Sequence, residues 1–114
     1  MTRRAAAVAA GLCVLAVCAA VLRVDAEAAA RKPVTHTVTI DGARFSPADL
    51  TVNVGDSIVW VNKDILAHTA TTATPGFDSK VIQPGKSWRC TVRRKGEFPY
   101  FCVFHPMNAI LRVR

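Results

Sequence analysis

From residue 34 onward the hydrophobic positions alternate in twos, the repeat of a strand with one face turned inward, and no stretch shows the three-and-four spacing of an amphipathic helix. His36, Val38 and Ile40 share one side of a first short strand, with Thr35, Thr37 and Thr39 on the other. Asp41-Gly42 and Ser46-Pro47 mark turns, Leu50, Val52 and Val54 alternate again, and Gly55-Asp56 marks the next turn. Residues 58–61 form a β-branched and aromatic run that suits a buried central strand. After a break at 62–66, residues 68–73 resume the pattern with threonines until Thr74-Pro75-Gly76 ends it. Pro84-Gly85 opens a strand in which Trp88, Cys90 and Val92 face one way and Arg89, Thr91 and Arg93 the other. Lys95-Gly96 reads as a hairpin turn, residues 98–103 as the return strand and 109–113 as the closing strand. Short strands with turn signals at this spacing predict an all-β sandwich or barrel.

Ahead of residue 34 the pattern changes. Arg3 and Arg4 precede an uncharged run over 5–22, mostly Ala, Val and Leu, and small residues follow at Val24-Asp25-Ala26. That order is the one of a secretory signal, with cleavage placed after Ala26. The chain then divides into a signal peptide over 1–26, a flexible segment over 27–33 and a domain over 34–114, and the expected location is the periplasm or outside the cell. A retained membrane anchor is the alternative, because the run reaches the lower limit for spanning a bilayer. Against it, alanine is weakly apolar and Arg23 ends the run.

Only about 80 residues remain to build a core, a size at which a metal or a disulfide strengthens a domain. Beyond residue 26 there are twelve Lys/Arg and seven Asp/Glu, a net charge of +5. The basic residues are dispersed except for Arg93-Arg94-Lys95, and no run alternates basic with aromatic residues, which argues against nucleic-acid binding. Of the four cysteines, Cys13 and Cys18 leave with the signal and Cys90 and Cys102 stay. In an oxidising compartment two cysteines pair by default, and a Cys90–Cys102 disulfide is the reading that any metal site must displace.

The informative segment is Tyr100-Phe101-Cys102-Val103-Phe104-His105-Pro106-Met107, which places a thiolate, an imidazole and a thioether within six positions. Two histidine nitrogens and one cysteine sulfur, with a weak axial methionine, are the ligands of a mononuclear copper electron-transfer site. The second histidine must come from elsewhere, and His68, in the loop that leaves the central strand, is the natural candidate.

Over residues 34–114 the chain resembles the cupredoxins, and within them the amicyanin and plastocyanin-like branch. The resemblance is carried by Phe45-Ser46-Pro47, Val54-Gly55-Asp56-Ser57-Ile58-Val59-Trp60-Val61-Asn62-Lys63-Asp64, His68-Thr69, Phe77-Asp78-Ser79, Pro84-Gly85-Lys86-Ser87 and Phe98-Pro99-Tyr100-Phe101-Cys102. It implies a Greek-key β-sandwich of seven to eight strands holding one type 1 copper ion. It further implies His68 and His105 as imidazole ligands, Cys102 as thiolate, Met107 as axial ligand and Thr69 as a residue beside the first histidine. The chain departs from that pattern in having only Pro106 between His105 and Met107, one residue fewer than amicyanin-like loops. Cys90 falls where such proteins place a core residue, and reads as a buried free thiol. His36, outside any motif, reads as structural.

The function these readings imply is a monomeric electron carrier with copper cycling between Cu(II) and Cu(I), with a transient protein donor and acceptor. No small-molecule substrate is implied, and with no acid, base or nucleophile beyond the ligands it is not expected to be an enzyme. Partner docking is expected at Ile65, Leu66, Phe104 and Pro106, around His105. Arg93-Arg94-Lys95 is expected roughly 17 Å from the metal, at the usual strand rise. A copper carrier or chaperone, with redox incidental, is the alternative. A metal-free interaction module is a third reading, and it would require the disulfide.

Overall fold

The computed structural model describes residues 31–73 and 75–114. The signal expected over 1–26 and most of the segment expected over 27–33 lie outside the described residues. The alternation that opens the domain becomes β1 (Thr35–Asp41), with Val38 and Ile40 buried and the threonines facing out or half-covered. Gly42 and Ala43, both in the left-handed region at φ 57° and 54°, turn the chain tightly into β2 (Arg44–Ser46). Positive φ at both central residues makes a turn whose twist matches the flanking strands.

β3 (Asp49–Val52) is followed by β4 (Ser57–Asn62), whose Ser57, Ile58, Trp60 and Asn62 are all buried. β4 lies between β1, to which it runs parallel, and β6 (Ser87–Thr91), to which it runs antiparallel. This central position is why the sequence puts β-branched and aromatic residues there. The first sheet has the order β2-β1-β4-β6. The second has the order β3-β8-β7-β5, with β5 only Thr71–Thr72, β7 Gly96–Phe101 and β8 Asn108–Val113. The eight strands thus stack as a Greek-key β-sandwich.

Between the sheets Trp60 packs against Phe77, Trp88 and Tyr100, at ring-centroid separations of 5.1, 5.4 and 5.7 Å. Ile40, Phe45, Val52, Ile58, Leu111 and Val113 complete this core. Burying each such side chain contributes about 1.5–3 kcal/mol.

Three expectations need correction. Lys95-Gly96 is not a hairpin turn, because β6 belongs to the first sheet and β7 to the second. The Val92 amide still bonds to the Asp56 carbonyl at 2.9 Å, extending the β4–β6 ladder by one pair, and the chain crosses to the second sheet between there and Gly96. Alternating inward residues on both strands suit packing face to face as well as side by side. Val54 lies beyond the end of β3 and is exposed. The threonine-rich stretch after His68 yields only two residues of strand, flanked by isolated bridges from His68 to Ile82 and from Thr71 to Asp78.

Candidate metal centre

One end of the sandwich collects the chemistry. β4 delivers the chain into the 62–67 loop, where the fully buried Asn62 fixes the path. Its side-chain amide donates to the carbonyls of Leu66 and Ile82, at 2.8 Å each, and its carbonyl accepts from the Asp64 amide at 2.9 Å. His68 emerges from this loop fully buried, with its backbone paired to Ile82. β7 ends one residue before Cys102, and a tight loop returns the chain to β8. The Cys102 amide donates to the Met107 carbonyl at 3.2 Å, and the Met107 amide to the His105 carbonyl at 2.8 Å.

This arrangement brings one ligand atom each from His68, Cys102 and His105 within 4.8 Å of one another. Cys102 Sγ lies 3.7 Å from His68 Nδ1 and 3.8 Å from His105 Nδ1. With bonds of about 2.0 Å to nitrogen and 2.3 Å to sulfur, such separations subtend about 120° at a shared ion. Both sulfur–nitrogen edges therefore fit a centre that takes one thiolate and two imidazoles, a donor set that among first-row metals suits copper. Met107 is 3% exposed and lies where the loop closes on Cys102 and His105.

Each donor is prepared for the role. His68 Nε2–H donates to Asp64 Oδ2 at 2.8 Å, which leaves the Nδ1 lone pair facing Cys102. Asp64 is held down to a pKa of about 2, first by the Ala43 amide and then by His68, with the Ile65 amide adding to them against desolvation. Burial by itself would raise the Cys102 thiol. The amides of Thr69 and Phe104 and the imidazoles of His68 and His105 outweigh it and bring the pKa from 9.0 down to about 6. Thr69 also ties the two strands of chain together, with its amide 3.4 Å from Cys102 Sγ and its hydroxyl accepting from the Val103 amide at 3.0 Å. His105 is only partly covered.

Ile65 is 88% exposed, and Leu66, Phe104 and Pro106 are exposed as well, so the residues expected to dock a partner do face outward. Val103, also exposed, joins them and was not anticipated. Sequence reasoning also missed Asp64. The available signal was a carboxylate four residues before a ligand histidine, in a loop with no other use for it.

Cys90 and Cys102 are both free, Cys90 within β6 of the first sheet and Cys102 just past the end of β7 of the second, which removes the disulfide reading. Cys90 is half-buried, against an expectation of full burial. It faces a cavity of about 280 Å³ between the sheets, so the inward face is not closed at that point. His36 donates from Nε2 to Asp56 at 3.0 Å within β1 and stands far from the donors, in a structural role.

A family model described as a cupredoxin-like domain matches residues 11–111. Amicyanin from Paracoccus versutus is 22% identical over 74 residues, which are 60% of this chain and 56% of that protein. The match thus spans little more than half of that relative's length. Among solved structures, a copper-containing nitrite reductase from Thermus scotoductus SA-01 superposes with a TM-score of 0.67 at 30% identity, over 74% of this chain but 23% of that one. A purple cupredoxin from Nitrosopumilus maritimus gives 0.65 at 21% identity, over 69% and 99% of the two chains. An amicyanin variant in the oxidised state gives 0.67 at 21% identity, over 70% and 82%. At about a fifth identity these last two likenesses speak for the fold.

Proposed function

Since the chain belongs to the cupredoxin-like family, we propose that it is an exported electron carrier with one type 1 copper ion, which His68, Cys102 and His105 would hold with Met107 as a further, weaker ligand. The observation that carries this reading is the Sγ–Nδ1 triad at 3.7 and 3.8 Å, in which the buried His68 and Cys102 are held by hydrogen bonds from Asp64 and Thr69 that do not depend on any ion. Bound copper supplies a one-electron couple between Cu(II) and Cu(I). Asp64 and Asn62 orient His68, Thr69 steadies Cys102, and the sheet ends hold both at fixed separation, so little needs to move when the charge at the site changes. His105 is the ligand with its ring partly uncovered, and the exposed Ile65, Leu66, Val103, Phe104 and Pro106 offer apolar surface beside it for brief docking.

The reading includes no substrate and no catalytic group. It also includes export by a signal peptide over 1–26, with 27–33 as a linker. The single residue between His105 and Met107 favours a second reading, copper delivery with redox incidental, because a constrained axial position would ease metal exchange.

One measurement tests the proposal: the visible absorption spectrum after adding one equivalent of Cu(II). An intense blue thiolate-to-copper band is expected, at full occupancy with one ion per chain. A green or weakened band would point to altered axial ligation at Met107, and no thiolate band would sink the copper-carrier reading. Slow metal release with fast electron self-exchange would separate the carrier from the delivery protein.

A further inference from the structure

Three side chains that pack against the core are left only half-covered: Phe77, Cys90 and Phe98. They share the cavity of about 280 Å³, which lies on the side of the sandwich where β6 is the edge of the first sheet. Cys90, in β6, and Val92, just beyond it, form one wall, Phe98 and Leu111 of the second sheet form the other, and Phe77 closes the space between them. Phe77 is pinned by Thr72, whose amide donates to the Phe77 carbonyl at 2.9 Å and whose hydroxyl accepts from the Phe77 amide at 2.9 Å. Gly76 beside it must be a glycine, because a Cβ there would run into the Thr72 side chain. The hollow is therefore shaped by hydrogen bonds and close packing.

Its lining carries a single charge, Arg94, which is exposed and stands 5.9 Å over the Phe98 ring. No carboxylate among the described residues pairs with this guanidinium. The acids closest to the lining in sequence are engaged elsewhere, Asp78 with Lys80 and Glu97 with Arg112. A permanently charged planar fork thus stands at an apolar hollow without a partner of its own.

These features select a ligand. A cavity of about 150 Å³ holds benzene, so by proportion this one holds on the order of 11 non-hydrogen atoms. Mostly apolar walls with one placed polar group are the make-up of a small-molecule site. Two phenyl rings and a thiol favour a flat aromatic body, and the fork of Arg94 matches a carboxylate. An inorganic anion or a phosphate headgroup would gain nothing from Phe77, Cys90 and Leu111, and a neutral hydrocarbon would gain nothing from Arg94.

We propose that the hollow between β6 and β7 is a binding site for a small aromatic monocarboxylate, with its ring among Phe77, Cys90 and Phe98 and its carboxylate on Arg94. The site is separate from the metal ligands, since Phe98 precedes Cys102 along the chain of β7 by about 13 Å at the usual strand rise. It does not rest on the copper reading.

The test titrates the purified protein with phenylpropionate and with two comparators of similar size, phenylpropanol, which lacks the charge, and octanoate, which lacks the ring. Calorimetry should show saturable binding of phenylpropionate, about tenfold tighter than phenylpropanol and several-fold tighter than octanoate. Bound phenylpropionate should also slow the labelling of Cys90 by N-ethylmaleimide, read on the Cys90 peptide by mass spectrometry. Arg94→Gln, at an exposed position, should lower the affinity for phenylpropionate to that for phenylpropanol, and Cys90→Phe should abolish binding by filling the space. If Cys90→Phe does not fold, Arg94→Gln and the labelling still decide. No saturation below about 10 mM, equal binding of the acid and the alcohol, equal binding of octanoate, labelling that the ligand does not slow, or unchanged affinity in Arg94→Gln would each overturn the proposal. The thiolate-to-copper band should be the same with and without phenylpropionate, so failure of the copper reading and failure of this one are told apart.

Discussion

Cys102 sets the pH range in which the site can take up metal. Its thiol must lose a proton to become a ligand, and its environment lowers the pKa from 9.0 to about 6. The shift is a depression, so in the metal-free protein its stabilising effect is fully present above pH 9 and is lost as the pH falls through 6. Copper affinity is expected to be nearly flat between pH 7 and 8 and to fall by at least about tenfold per unit below pH 6, where the thiol alone gives up one proton for each ion bound. Competition against a chelator across pH would show it, and a flat profile down to pH 4 would exclude Cys102 as the titrating ligand. Asp64, held down to about 2, stays ionised throughout this range and does not confuse the result. Its own role is to fix His68, so Asp64→Asn is expected to lower copper affinity about 10- to 100-fold while preserving the thiolate band. Unchanged affinity would mean that the 62–67 loop orients His68 without it. Cys102 and His105 were legible in the sequence because a thiolate and an imidazole three positions apart at a strand end have few other uses. Asp64 was not, because an acid in a loop is by default solvated, and only the fold shows that its partner is a ring nitrogen.

At the level of elements, β4 is the strand on which the site depends. Its central place between β1 and β6 was readable from residues 58–61, a β-branched and aromatic run in which Ile58 and Trp60 are buried in the core and Val59 and Val61 are half-covered on the other face. Its far end was less readable: the polar Asn62 is buried because its amide group satisfies two backbone groups of the loop that carries His68 and the carbonyl of Ile82 opposite it. Ile58, fully buried, anchors the near end. Ile58→Ala is expected to destabilise the domain by about 2–5 kcal/mol through the lost transfer energy and the cavity left behind. Urea unfolding of the metal-free protein would measure this, and a loss under 1 kcal/mol would indicate that the sandwich closes around the gap. The corner between β6 and β7 could not have been foreseen. A glycine turn between two alternating strands is compatible with a hairpin or with a crossing, and only the pairing of β7 with β5 and β8, residues far apart in sequence, decides for the crossing.

For the whole molecule, the candidate metal ligands join parts that the strands leave separate. His68 lies on the loop that leaves the first sheet, whereas Cys102 and His105 lie between β7 and β8 of the second. An ion held by all three would bridge the sheets at one end. A domain of about 80 residues has a small margin of stability, so such a bridge should be visible as heat resistance. Free copper at 100 times its dissociation constant would add about 2.7 kcal/mol, and at about 4–8 °C per kcal/mol for a domain of this size the unfolding midpoint should rise by about 10–20 °C. Cys102→Ala should remove most of that rise by deleting the ligand that both histidines face. Calorimetry with and without one equivalent of copper makes the comparison. A rise of only a degree or two, in protein whose spectrum shows full occupancy, would mean that the unfolded chain binds copper nearly as well through its own cysteines and histidines, and that the fold, not the ion, holds the site in shape.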